Sequence, residues 1–201
     1  MAKRTFVSAD WKEPYDSHSW DKEVVDRIRK WRDDGRYGVD IICTDEVHKG
    51  VMEKPDCRRC DIKGECGKQI NSSSVVIAVI GDKTATKTAG ECDEASCSPA
   101  YSGQDKKTCK YSTSPAETTA EGGVAGGNKM SYLRHEITKA ASAKKSIIVV
   151  FNSMLNQTGW IPSWYTTLKD NGSIKELWRG PFWKDKEHDK DCYPDIKGYL
   201  Q

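Results

Sequence analysis

Cys57-x-x-Cys60, followed at short distance by Cys66, sets three thiols close together in the chain. Thiolates at such spacing are ligands for structural zinc, and a fourth from Cys92, Cys97 or Cys109 would complete a tetrahedron. With Cys92 as the fourth, the expected set is Cys57, Cys60, Cys66 and Cys92. No second C-x-x-C motif accompanies the first, so free thiols, or disulfides formed on oxidation, stand as alternatives. A catalytic zinc is not indicated, because such sites usually carry His or carboxylate ligands and an open position. A second chemistry belongs to carboxylates. Glu136 follows Tyr132 at a spacing that puts both side chains on one helix face. By periodicity alone a helix glutamate is usually just solvated. His135 reads as a surface residue. His18, His48, Asp10 and Asp45 read as loop residues near strand ends, within reach of a ligand or merely polar.

These groups need a scaffold, and the apolar pattern supplies one. Arg4 to Ala9 reads as a short buried strand. Asp21 and Glu23 mark the first turn of a helix whose stripe is Trp20, Val24, Ile28 and Trp31, closed by Gly35. Val39 to Cys43 reads as a second strand. Asp45 to Gly67 is rich in charge and cysteine and reads as irregular. Ser74 to Ile80 is a nearly unbroken β-branched run, as a central parallel strand covered on both faces requires. Met130, Leu133, Ile137 and Ala140 form a helical stripe, and Ser146 to Phe151 is the next buried strand. This order predicts one α/β domain over residues 1–201, with a mainly parallel sheet and flanking helices. Residues 83–128, polar and cysteine-bearing, read as a long insertion. Residues 154–201, with Trp160, Trp164, Trp178 and Trp183, read as an aromatic-rich C-terminal extension that wraps the domain. Ligands of parallel sheets gather at the carboxyl ends of the strands. Here those ends are Ser8–Trp11, Cys43–Glu46, Gly81–Thr84 and Asn152–Ser153.

Lys plus Arg number 32 and Asp plus Glu 30, so the near balance gives no general reason to expect a nucleic acid or an anionic membrane as partner. The longest apolar runs are too short to span a bilayer, and no apolar leader follows Met1. A cytoplasmic location is the expectation.

The segments in this order resemble the TIR-like domain family. Lys3-Arg4-Thr5-Phe6-Val7-Ser8 is similar to the first strand of these domains. Ile70 to Ile80, ending in Gly81-Asp82-Lys83-Thr84, resembles their core strand with its Ile-Gly-x-x-Thr close. Ser131-Tyr132-Leu133-Arg134-His135-Glu136-Ile137, with Ala140 after it, resembles the helix that carries the family's catalytic glutamate. Tyr132 stands where many members have Trp. The style is that of the TIR-domain sensors of the bacterial Thoeris anti-phage defence system. The resemblance implies a flavodoxin-like or TIR-like fold and cleavage of NAD, with Glu136 catalytic. Ser8, Ala9, Asp10, Trp11, Asp45, Thr84 and Tyr132 would line the NAD crevice. It further implies an ADP-ribose-derived signal, cyclic or conjugated in some members, acting on a downstream effector. A phage component would be the trigger, and self-association is a further expectation. Two other readings stand beside it: a non-catalytic TIR-type assembly module, and a nucleoside deoxyribosyltransferase-like enzyme.

The chemistry suits the residues. Nicotinamide is positively charged in NAD and leaves as a neutral base, so no strong general acid is needed. Positive charge grows on the ribose instead, and a carboxylate beside it is stabilising. A helix N-terminus favours the pyrophosphate, and a Tyr or Trp ring can stack on a base.

Overall fold

The structure is a computed structural model, and it describes residues 2–9, 20–52, 59–81, 84, 117–118, 124–125, 131–152, 159–170, 174–179, 193 and 196–201. The β-branched runs form the strands expected of them. β1 (Arg4–Ala9), β2 (Asp40–Cys43), β3 (Val75–Gly81) and β6 (Ser146–Asn152) are joined by β7 (Ile174–Arg179) in a five-stranded sheet of order β2-β1-β3-β6-β7. Every pairing in it is parallel. β3 is buried along its whole length, as a strand flanked by two neighbours and covered on both faces must be. β4 (Glu117–Thr118) and β5 (Val124–Ala125) form a separate antiparallel pair inside the expected insertion. Apart from Thr84, these are its only described residues.

Parallel neighbours need crossovers, and the helices they contain close both faces. α1 (Trp20–Asp33) covers one face through Val24, Ile28 and Trp31, together with Tyr193, Ile196 and Leu200 from the C-terminal segment. α2 (Thr44–Met52), α3 (Arg59–Ser72), α4 (Tyr132–Ser142) and α5 (Ser163–Asp170) cover the other face, where Phe6, Val76, Ala78 and Ile80 point. The strand order reverses between β1 and β3, the switch point at which open α/β sheets bind ligands.

Two expectations are corrected. Residues 45–67 are not irregular: α2 and α3 occupy most of that stretch, with Ile62, Cys66 and Ile70 as the buried stripe of α3. The C-terminal region does more than wrap the domain. It supplies α5 and the edge strand β7, which pairs with β6 from Ile147↔Ile174 to Asn152↔Arg179. The sheet is therefore larger than the sequence pattern suggested.

Candidate active site

α4 is seated by Leu133, Ile137 and Ala140, all fully buried. Burying a leucine or isoleucine side chain contributes about 1.5–3 kcal/mol. Ser131 caps the helix by accepting from the Arg134 N–H at 3.1 Å, which fixes where the first turn starts. Because α4 leads from the end of β3 back to the start of β6, its first turns lie over the carboxyl ends of the strands. Glu136 projects from these turns and is fully buried, not solvated as an ordinary helix glutamate would be.

A buried carboxylate costs several kcal/mol unless hydrogen bonds replace its water. Here the donors come from across the fold. Ser8 Oγ, near the end of β1, donates to Glu136 Oε2. Thr44 Oγ1, the first residue of α2 after β2, donates to the same oxygen at 2.9 Å. Hydrogen bonds to a charged acceptor contribute about 1.5–3 kcal/mol each, so the pair offsets much of the burial cost. The Cys66 thiol of α3 is also hydrogen-bonded to Glu136; burial first, then the charge of Glu136 and this bond, push its pKa up and keep it protonated. Cys66 is thus no free thiolate in this arrangement.

His48, expected in a loop, lies on α2 one turn after Thr44, so both face α4. Its ring packs edge-on against Tyr132, with centroids 4.5 Å apart. Burial pushes its pKa down to about 4, which leaves the imidazole neutral near neutral pH. His135 is half-buried, not a plain surface residue. Burial, followed by the Lys63 and Lys139 charges, lowers its pKa to about 4, against a hydrogen bond to the Lys63 backbone. Lys63 is itself buried, its Nζ 5.9 Å from the centre of the Tyr132 ring.

Of the residues expected to line the crevice, the structure brings Ser8, Tyr132 and Glu136 into one neighbourhood. Ala9 is buried but turns to the opposite face of the sheet, the α1 side. Asp45 is held by Arg29, with both carboxylate oxygens within 2.8 Å of Nη2, and so belongs to a bridge between α1 and α2. Thr84 is buried and accepts from the Gly81 N–H at 2.9 Å, closing the end of β3. Asp10 and Trp11 lie outside the described residues, as do Cys57 and Cys92. Cys60 falls in α3, but its side chain is outside the described set, so Cys66 alone of the expected zinc ligands is placed. Sequence reading missed Thr44. The signal was there: Thr44 and His48 sit one helical turn apart directly after a strand end.

No protein-family model matches the chain, and no curated protein is significantly similar to it. Among solved structures, it is similar to that of Clostridium botulinum CMP N-glycosidase, BcmB, with a TM-score of 0.45 and 11% identity, over 98% of this chain and 100% of that one. At that distance the chemistry has to be read from this chain's own residues.

Proposed function

We propose that the chain cleaves the N-glycosidic bond of a nucleotide, with NAD as substrate and Glu136 as the carboxylate beside the anomeric carbon. One observation carries the reading: a fully buried glutamate at the carboxyl ends of parallel strands, held by hydroxyls at the ends of two different strands, β1 and β2. In the reaction the C1′–N bond breaks and its electron pair leaves with nicotinamide, which becomes neutral. Glu136 stabilises the positive charge left on the ribose, and does so strongly because the carboxylate is buried. The ribose hydroxyls take the place of the Ser8 and Thr44 hydroxyls on the carboxylate. Water then adds to C1′ and gives its proton to Glu136. Tyr132 stacks on a base or on nicotinamide. The TIR resemblance extends this to an ADP-ribose-derived signal in anti-phage defence, cyclic or conjugated where another nucleophile replaces water, and passed to an effector.

The test is mass spectrometry of the full chain incubated with NAD, with and without phage lysate as trigger. Nicotinamide release is expected, falling by about a hundredfold to a thousandfold in Glu136→Gln with the melting curve retained. Base exchange between deoxynucleosides with NAD untouched would favour the deoxyribosyltransferase-like reading. Concentration-dependent assembly without any turnover would favour the assembly module.

A further inference from the structure

We infer that His48, Cys66 and Glu136 form a binding site for a zinc-class divalent cation, distinct from any site built on Cys57 and Cys60. One donor atom from each of the three residues lies within 4.8 Å of the others. They come from three helices, α2, α3 and α4, so packing fixes their mutual position. A tetrahedral zinc with ordinary bond lengths spaces its ligand atoms by about 3.3–3.8 Å, so the widest-set pair needs to draw in by up to roughly 1.5 Å.

A second observation points to the same ligand. His48 Nε2 is buried and has no hydrogen-bond partner among the described residues. A buried ring nitrogen in that state is costly, and a metal is one of the few partners that satisfies it. The donor set also selects the ion. Imidazole and thiol suit zinc, cobalt or copper and suit magnesium or calcium poorly. Charge agrees as well: a dication, one thiolate, one carboxylate and a neutral imidazole sum to zero, the state a dry site tolerates best. On binding, the Cys66 S–H bond breaks, a sulfur–metal bond forms and the proton passes to solvent. Ser8 and Thr44 keep their bonds to Glu136 and hold it in orientation, as outer groups do around metal ligands. A Cys66 sulfur committed to this ion leaves the expected four-cysteine set.

The consequence for activity rests on the proposed glycosidic chemistry: an ion on Glu136 withholds the carboxylate from the ribose, so zinc inhibits. Binding itself rests on the geometry alone. The experiment strips the full chain with chelator under reducing conditions, then titrates Zn²⁺ by calorimetry and Co²⁺ by its thiolate charge-transfer absorption. His48→Ala and Cys66→Ser are each expected to weaken one equivalent by about a hundredfold, while the Cys57→Ser/Cys60→Ser double variant keeps it. Wild-type stoichiometry and affinity in His48→Ala would overturn the site. That variant decides even where Cys66→Ser folds poorly, because His48 is only half-buried. Zinc binding without any NAD turnover by the metal-free chain would uphold the site and count against the glycosidic reading. Turnover that zinc leaves untouched, although it binds, would overturn inhibition alone.

Discussion

Glu136 shows how surroundings set one side chain apart from others of its kind. In the sequence it is one of many helix glutamates. In the fold it is fully buried, with Ser8, Thr44 and Cys66 turned toward it. Each donor contributes to keeping the carboxylate inside. Thr44→Val keeps the shape and removes one donor, so it is expected to lower stability by about 1–3 kcal/mol in a urea titration. An unchanged midpoint would mean that water already supplies that bond. Ser8 was legible as a strand-end residue, and Glu136 through the TIR resemblance. Thr44 was missed and His48 was read as a loop residue within reach of a ligand, because the charged composition of residues 45–67 concealed the start of α2.

Helices α1 and α2 are tied by ions as well as by core. Arg32 donates to both Glu46 oxygens at 2.7 and 2.9 Å, and the Cys43 N–H donates to Glu46 at 3.0 Å. Burial acts to raise the Glu46 pKa, but the Cys43 bond and the two arginines outweigh it, so the net shift is downward. A depressed carboxylate stabilises above its unfolded pKa, and that contribution disappears as pH falls through the folded value. Glu46→Gln is therefore expected to be less stable than wild type at neutral pH, with the gap closing below the ordinary carboxylate range. Thermal melts across that range measure it, and a gap that widens in acid would contradict the assignment. A tighter coupling lies at the end of β3. A Cβ on Gly81 would stand 2.7 Å from Asp21 Cγ, whose carboxylate accepts from Asn152 Nδ2 at 2.8 Å. Gly81→Ala is expected to cost about 1–3 kcal/mol. Adding Asp21→Ala should make the pair less than additive, the sign of a shared clash; strict additivity would place the cost elsewhere. Strands β3 and β6 were legible because nearly unbroken β-branched runs have few alternatives to a buried parallel strand. α3 was not, since its stripe of Ile62, Cys66 and Ile70 counts a cysteine as core, and cysteine there invites a ligand reading instead.

For the molecule as a whole, β7 matters most. Only Leu177 among its described side chains is buried, so its pattern never alternates clearly, and the aromatic residues around it suggested a wrapping tail. Yet it pairs along its own full length with β6, from Ile147 to Asn152. Removing residues 154–201 would leave β6 as a long apolar edge, a template for pairing with other chains. The truncated chain is expected to aggregate, seen by size-exclusion chromatography with loss of the native melting transition. A monomeric, cooperatively folded product would show that β1, β2, β3 and β6 suffice. The closed arrangement of the termini points the same way: Lys3 N–H donates to Leu200 O at 2.8 Å, and Tyr193 donates to the Tyr37 carbonyl.

The carboxylate and its first hydroxyl donor are 128 positions apart along the polypeptide. During synthesis the early strands therefore emerge long before the helix that completes the constellation. A ribosome-bound fragment lacking α4 holds Ser8 and Thr44 with nothing to grip, and any chemistry at this spot stays silent in the cell until the late half of the chain has been made.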